Sequence, residues 1–237
     1  MEFSVHGGIL LAAYLIGSVP FGLLVVRLFT GKDIRSVESG RTGGTNAMRA
    51  AGWVAGVLTA LLDILKAAST VWLAEAFTGS HWVHVLAPIA AILGHNYSIF
   101  LLKRNDAGRW QLRGGAGGAA SLGGAIGLWW PSVLIILPLA ALIFFGVGYA
   151  SVTTMSVAFL ATVIFAVRAF LGHGSWVDVL YGILALLLLI LALRPNIKRL
   201  FDGTERLHGW RAKRMQSRSA KPVGRKNRTD QPGTSLS

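Results

Sequence analysis

The sequence predicts an all-α integral membrane protein with seven transmembrane helices, its N-terminus outside and its C-terminus in the cytoplasm. Two observations predict this fold class. Of the 237 residues, 53% are hydrophobic and only 14% are charged, which is too apolar for an ordinary soluble domain. The hydrophobic residues also form blocks of about 20 residues, the length that an α-helix needs to cross a bilayer.

Seven segments are candidate spans. The first is longer than a signal-peptide core and lacks a basic n-region, so we interpret it as a retained helix. The fourth is the weakest, because it is short and contains seven glycines. Pro131 suits the first turn of a helix and separates the fourth span from the fifth. The predicted spans are residues 7–29, 52–77, 81–102, 114–130, 131–149, 152–171 and 176–193.

The distribution of Lys and Arg predicts the orientation. Loops 30–50 and 103–113 each contain four basic residues, and residues 194–237 contain twelve. Cytoplasmic loops carry such an excess, so these segments are predicted to face the cytoplasm. Neither Lys nor Arg occurs in the predicted outer segments, which are residues 1–6, 78–80 and 172–175.

The chain divides into a membrane domain, residues 1–206, and a basic C-terminal tail, residues 207–237. From residue 211 onward the tail lacks apolar periodicity, which predicts disorder. Its positive charge suits contact with anionic membrane lipids. No nucleic acid partner is expected, because neither a folded domain nor interleaved aromatic residues accompany the charge.

The first basic loop is polar and glycine-rich, reading KDIRSVESGRTGGTNAMR over residues 32–49. Arg41 and Arg49 offer guanidinium groups to a phosphate, and glycines let backbone N–H groups approach an anion. A flexible connector is the alternative interpretation. The other residues suited to binding are Ser39, Gly40, Thr42, Gly43, Gly44, Thr45 and Asn46.

The second basic loop leads into the glycine-rich stretch LRGGAGGAASLGG, residues 112–124. Unpaired N–H groups at a helix start favour an anion, and Arg113 adds positive charge. Gly114 and Gly118 are also spaced four residues apart, which lets membrane helices pack closely. Anion binding and helix packing both remain open.

Polar residues within the predicted spans are the remaining candidates. Asp63 and Lys66 lie three residues apart, on one helix face, and a structural salt bridge is favoured over catalysis. His95 and Asn96 lie at the inner end of the third span, next to the second basic loop.

Two further kinds of site are excluded or disfavoured. The spacing of His173 and Asp178 is one that some glycerolipid acyltransferases use, but the pair falls on the predicted outer side. The chain has no Cys, so it has neither a thiolate metal site nor a Cys nucleophile. It also lacks a Gly-x-Ser-x-Gly elbow and a Walker loop.

Five motifs follow one another along residues 10–206. They are GSVPFG (17–22), SGRTGGTNAMR (39–49), GHNYSIF (94–100), RGGAGG (113–118) and NIKRLFDGTER (196–206). In their order and spacing, the sequence resembles the bacterial membrane acyl-phosphate:glycerol-3-phosphate acyltransferases of the PlsY type.

The resemblance implies a multi-pass protein of the bacterial inner membrane with its active face in the cytoplasm. It implies acyl phosphate and glycerol 3-phosphate as substrates, lysophosphatidate and phosphate as products, and neither a cofactor nor a metal. The catalytic residues that it implies are Ser39, Arg49, His95, Asn196 and Glu205. The substrate-binding residues are Gly40, Gly43, Thr45, Asn46, Asn96, Arg113, Gly114, Gly115 and Gly117.

Five positions depart from the family's pattern, and two of them are Gly44, where the family usually has Ala, and Ser98, where it usually has Pro. Ala116 stands where the family has a phosphate-binding Lys, Leu193 stands where it has His, and Arg41 stands where it usually has Asn. We therefore ask whether another basic residue supplies the missing charge, with Arg109, Arg113 and Arg194 as the candidates.

Two alternatives to an acyltransferase follow from the sequence. A catalytically weakened or inactive relative that binds lipid or phosphate would account for the changes at Ala116 and Leu193. A transporter would require a polar pathway that continues to the outer side, which is nearly free of charge here. The sequence gives no prediction of the oligomeric state.

Overall fold

The computed structural model describes residues 2–104 and 108–208, and most of these are helical. Two single 3₁₀ turns and a small hairpin, in which Lys103–Arg104 pairs with Trp110–Gln111, lie between the helices. The predicted tail lies outside the described residues, apart from Leu207 and His208. The helices are α1 (Glu2–Ser18), α2 (Phe21–Thr30), α3 (Gly44–Ala51), α4 (Trp53–Phe77), α5 (His81–Asn96), α6 (Gly118–Leu128), α7 (Ser132–Gly146), α8 (Ala150–Phe170) and α9 (Trp176–Phe201).

Small residues let the helices approach closely. A Cβ atom on Gly17 of α1 would lie 2.1 Å from the carbonyl oxygen of Ala91 in α5. A Cβ on Gly123 of α6 would lie 2.1 Å from the carbonyl oxygen of Ile64 in α4. Such backbone contact is the usual packing of membrane helices, and it places α6 inside the bundle.

One end of the bundle, which we call the far end, is held by hydrogen bonds between helix termini. His6 Nε2 lies 3.1 Å from Thr78 Oγ1, and His81 Nε2 lies 2.8 Å from Asp178 Oδ1. Asp178 also completes a capping box with Ser175 at the start of α9. These contacts give Asp178 a structural role at the far end, so no catalytic role is needed to explain its position.

The opposite end, which we call the site end, gathers the other termini of the same helices. α5 runs from His81 at the far end to His95 at the site end, and α9 runs from Asp178 to Asn196. The starts of α4, α6 and α8 and the ends of α5, α7 and α9 line one cavity at the site end. Successive helices from α4 to α9 therefore run in alternating directions.

Five helical segments among the described residues are long and apolar enough to cross a membrane. They are Glu2–Thr30, Trp53–Phe77, His81–Leu101, Ala150–Phe170 and Trp176–Phe201. The first is interrupted between α1 and α2, because Pro20 has no N–H to continue the helical ladder.

The predicted fourth and fifth spans differ most from the structure. α6 has 11 residues and α7 has 15, each short of the ~20 needed for a full span. The predicted fourth span began at residue 114, but the backbone of Gly114 and Gly115 bonds to α5 rather than joining α6. Residues 129–131 then separate α6 from α7.

Candidate functional site

A cavity of about 360 Å³ opens at the site end. Its wall combines segments that are far apart in sequence, with polar groups from the loops and apolar groups from the helices. The lining side chains and backbone come from Ser39, Arg41, Gly43, Gly44, Thr45, Asn46, Met48, Arg49, Gly56, Val57, Ala60, Asp63, His95, Ala116, Gly117, Gly118, Ala119, Phe144, Ala150, Thr154, Asn196 and Glu205.

The first loop, residues 31–43, folds around the buried side chain of Asn46. Asn46 Nδ2 lies 3.2 Å from the carbonyl oxygen of Ile34, 3.0 Å from that of Val37 and 2.9 Å from that of Arg41. A buried amide that satisfies loop carbonyls fixes the path of the backbone. Asn46 therefore shapes the loop that presents Ser39 and Arg41 to the cavity.

Two guanidinium groups line the cavity. Arg41 donates from Nη1 to the carbonyl oxygen of Gly115 at 2.9 Å and from Nη2 to that of Ala192. Arg49 Nη2 lies 2.6 Å from His208 Nε2. Within residues 2–104 and 108–208, no carboxylate lies at ion-pair distance from either group.

Both arginines remain charged at neutral pH. Burial and the nearby Arg113 lower the pKa of Arg41 to about 10, and burial also lowers the pKa of Arg49. A pKa of about 10 leaves the Arg41 guanidinium protonated at neutral pH, and an arginine side chain does not lose its proton in a protein. The cavity therefore offers two positive charges to an anion.

The glycine loop, residues 113–117, lies against the end of α5. Gly114 N donates to the carbonyl oxygen of Asn96 and Gly115 N to that of His95, both at 2.9 Å. Gly117 has a φ of +90°, which a residue with a side chain rarely adopts. The N–H groups of Gly114 and Gly115 thus bond within the protein, while the first turn of α6 faces the cavity.

Gly115→Ala is expected to lower the acyl-transfer activity that the resemblance implies at least tenfold. The added Cβ would lie 1.9 Å from His95 Nε2, and overpacking of this kind costs about 1–3 kcal/mol. The matched control is Gly79→Ala at the far end, whose Cβ meets nothing within 4 Å. Steady-state kinetics of both variants check the prediction, and equal activities would contradict it.

A buried charged cluster forms the floor of the cavity. Asp63 Oδ1 lies 2.8 Å from Lys66 Nζ and 3.5 Å from His95 Nδ1. Lys66 also donates to the carbonyl oxygen of Val19 at 2.8 Å, at the break between α1 and α2. The predicted salt bridge is therefore present, and through Asp63 it reaches a second candidate residue, His95.

The end of the described chain folds back across the site. We call residues 203–208 the strap. Glu205 accepts hydrogen bonds from Asn196 Nδ2 at 3.0 Å and from Arg199 Nε at 3.3 Å. The ring of His208 stacks on Phe144 with 5.7 Å between centroids, and the backbone N–H of His208 donates to the carbonyl oxygen of Gly148 at 2.7 Å.

We expect the strap to bind less tightly as the pH falls below about 6.5, the usual pKa of His. Burial and the neighbouring Arg49 lower the pKa of His208, with Arg206 acting in the same direction and Glu205 opposing it. A lowered pKa means that the docked state holds the proton less tightly than the free state. Docking is thus fully favoured above that pH and weakens as the imidazole becomes protonated.

The measurement is the hydrogen-exchange protection factor of residues 203–208 between pH 5 and 8. His208→Phe keeps the stacking on Phe144 but removes the titration, so its protection is expected to be independent of pH. A native strap that shows the same flat profile would contradict this assignment.

Comparison with known proteins identifies the family. The sequence profile described as "Glycerol-3-phosphate acyltransferase" matches residues 8–203. The glycerol-3-phosphate acyltransferase of Thermus thermophilus is 38% identical over 208 residues, covering 86% of this chain and 95% of the relative. That of Rhodopseudomonas palustris is 35% identical over 196 residues, covering 83% and 92%. This chain belongs to the glycerol-3-phosphate acyltransferase family.

A solved structure of the acyltransferase family agrees with this fold. The crystal structure of PlsY, an integral membrane glycerol 3-phosphate acyltransferase, in its glycerol 3-phosphate form matches with a TM-score of 0.73 at 30% identity. The match covers 86% of this chain and 96% of the crystallised one. The prediction of an all-α integral membrane protein of this family is thereby confirmed.

The cavity brings together most of the predicted site residues of the acyltransferase. All five predicted catalytic residues line it: Ser39, Arg49, His95, Asn196 and Glu205. Four predicted binding residues line it as well: Gly43, Thr45, Asn46 and Gly117.

The other predicted binding residues do not line the cavity. Gly40 has a φ of +65° in the turn of the first loop, and Asn96 Nδ2 lies 3.5 Å from the carbonyl oxygen of Leu188. Gly114 and Gly115 form the contact with α5 described above. Arg113 donates to the carbonyl oxygen of Ser39 at 2.7 Å and so joins the two loops.

The structure places the three candidates for a substitute cation. Arg109, Arg113 and Arg194 are all described residues, and none of them lines the cavity. Arg41 of the first loop does line it. Phe144 and Thr154 are wall residues that sequence reasoning missed, because apolar helices such as α7 and α8 carry no chemical motif.

Proposed function

We propose that this protein transfers an acyl group from acyl phosphate to glycerol 3-phosphate, giving lysophosphatidate and phosphate for phospholipid synthesis. The observation that carries the proposal is the pair of guanidinium groups, Arg41 and Arg49, in the cavity of a family member. Neither is neutralised by a carboxylate in the part of the chain that the structure describes. Two substrates that each carry a phosphate require such charges.

The reaction requires that the two substrates be positioned and that the negative charge of the transition state be stabilised. The hydroxyl oxygen of glycerol 3-phosphate attacks the acyl carbonyl, and the bond from carbonyl carbon to phosphate oxygen breaks. Acyl phosphate is a mixed anhydride with a good leaving group, which takes the electron pair and accepts the hydroxyl proton. Negative charge grows on the carbonyl oxygen and the leaving phosphate, where fixed positive groups and N–H donors stabilise it.

The predicted residues fit these roles. Arg49 grips a phosphate, and Ser39 and Thr45 offer hydroxyl groups beside it. Asn196 and Glu205, which are hydrogen-bonded to each other at 3.0 Å, bind the hydroxyls of glycerol 3-phosphate. His95 is buried in the cavity wall, with Asp63 Oδ1 3.5 Å from its Nδ1 to orient the ring.

We also propose that the chain crosses the membrane seven times with the site end in the cytoplasm. The alternating directions of α4 to α9 support this, with α6 and α7 as a short helical hairpin. The basic residues of the first and second loops lie at the site end, as the positive-inside bias requires. The bacterial inner membrane follows as the location.

Single-cysteine labelling tests the topology, since the chain has no native Cys. Gly79→Cys at the far end is expected to react with a membrane-impermeant maleimide in intact spheroplasts. Lys32→Cys in the first loop is expected to react only after lysis. The reverse pattern would refute the proposed orientation.

An assay of the purified protein with acyl phosphate and glycerol 3-phosphate tests the reaction. We expect lysophosphatidate and inorganic phosphate to appear in equal amounts and to require both substrates. Absence of product from the native chain would overturn the proposed activity.

A phosphate-binding relative without turnover is the second candidate. Ala116 lines the cavity and Leu193 is buried, so two positions that hold Lys and His in the resemblance are neutral here. Under this alternative, glycerol 3-phosphate binds without product forming. Ala116→Lys combined with Leu193→His would then raise turnover from a baseline near zero.

A further inference from the structure

Arg41 lies where three separate segments of the cavity wall meet. It belongs to the first loop, but its guanidinium reaches the carbonyl oxygens of Gly115 and Ala192. The next residues in the chain are Ala116 and Leu193. The positive charge therefore lies beside two neutral positions, of which Ala116 lines the cavity and Leu193 is buried.

The charge of Arg41 is free to act on an anion. A guanidinium has five N–H donors, and the two carbonyls use a donor from each terminal nitrogen. Neither partner is a carboxylate, so the positive charge is not cancelled by direct pairing within the described residues. The nearest charges that influence it include Arg113 and Arg199 as well as Glu205.

A guanidinium that only fastened loops together would not need to line a cavity. Arg113 provides that comparison within this protein, since it joins the glycine loop to Ser39 from outside the cavity wall. Arg41 differs from it in facing the same space as Arg49. Two guanidinium groups facing one space match the presence of two phosphate groups during acyl transfer.

We propose that Arg41 is a phosphate-binding residue of this acyltransferase, which supplies from the first loop the positive charge that Ala116 does not supply from the glycine loop. This inference rests on the proposed function. The ligand is the phosphate group of either glycerol 3-phosphate or acyl phosphate. The hydrogen bonds from Arg41 to two carbonyl oxygens hold the guanidinium in place before the substrate arrives, which reduces the entropy lost on binding.

Arg41→Asn is expected to lower kcat/KM by about 10- to 100-fold, the usual effect of losing a charged hydrogen bond. Adding Ala116→Lys to that variant is expected to recover most of the loss, because the new ammonium group enters the cavity next to Gly115. Lys32→Asn removes an exposed charge from the same loop and is expected to stay within twofold of native. The KM for each of the two substrates is measured separately. The substrate whose KM rises in Arg41→Asn is the one whose phosphate group Arg41 binds.

Arg41 acting only as a structural clamp is the outcome that would overturn the proposal. A lysine at position 116 cannot replace the two carbonyl bonds, so a double variant no better than Arg41→Asn would indicate a clamp. Arg41→Lys provides a second test, because it keeps the charge but cannot reach both carbonyls with one planar fork. Retained activity in that variant supports phosphate binding, and loss equal to that of Arg41→Asn opposes it.

Calorimetric titration with inorganic phosphate separates this proposal from the proposed function. Phosphate binding that weakens at least tenfold in Arg41→Asn supports the proposal even in a chain that makes no product. A native chain that makes product, with Arg41→Asn equal to it in both kinetics and phosphate binding, overturns the proposal and leaves the function intact.

Discussion

Arg49→Ala is expected to lower kcat/KM for acyl transfer by one to two orders of magnitude. The guanidinium lines the cavity near Ser39 and Asn196 and has no carboxylate partner among the described residues. Losing a hydrogen bond to a charged group costs about 1.5–3 kcal/mol, which corresponds to that range of rates if the contact is made in the transition state. Steady-state kinetics with each substrate varied in turn measure the effect.

Two further variants test whether the effect of Arg49→Ala comes from the guanidinium group of Arg49 itself. Arg49→Lys keeps the charge but loses the planar fork, so its activity is expected to lie between native and Arg49→Ala. Lys198→Ala removes an exposed charge from the surface of α9 and is expected to be neutral. Equal activity in Arg49→Ala and native protein would remove Arg49 from the site.

Asp63→Asn is expected to destabilise the protein and to reduce its activity together. The change leaves Lys66 as a buried charge without its carboxylate, and breaking one partner of a buried pair commonly costs about 3–5 kcal/mol. It also removes the acceptor that faces His95 Nδ1 at 3.5 Å. Thermal unfolding in detergent and acyl-transfer kinetics report the two effects separately.

The double variant Asp63→Asn with Lys66→Met separates stability from function. Removing both charges leaves neither member of this pair buried without its partner, so most of the lost stability is expected to return. Activity is expected to stay low, because His95 still lacks its orienting carboxylate. Recovery of both properties would mean that Asp63 contributes only to stability.

The long helices were predictable because each is a continuous apolar block of span length. The predicted 52–77 and the observed Trp53–Phe77 differ by one residue, since polar or glycine residues end the block on both sides. α6 was predicted too long because the start of the glycine-rich stretch contacts α5 through its backbone. A hydropathy profile contains no information about that contact.

The polar loops of the site were predictable from their chemistry, but their mutual positions were not. Ser39, His95 and Asn196 come from three motifs that the resemblance sets side by side, and all three line one cavity. The contact of Arg41 with Gly115 joins residues 74 positions apart. It depends on how two loops pack, so the candidates for a substitute cation, which were chosen for being near in sequence, were Arg109, Arg113 and Arg194.

The Asp63–Lys66 pair also bears on how the protein is made. A single charged residue at the centre of an inserting helix is opposed by about 2.5–3.5 kcal/mol on translocon scales. Here both charges belong to α4, three residues apart, with 2.8 Å between Asp63 Oδ1 and Lys66 Nζ. α4 can therefore neutralise itself as it leaves the translocon, before α5 brings His95 alongside. The carboxylate of Asp63, which lies at the floor of the cavity, therefore enters the bilayer already paired with Lys66.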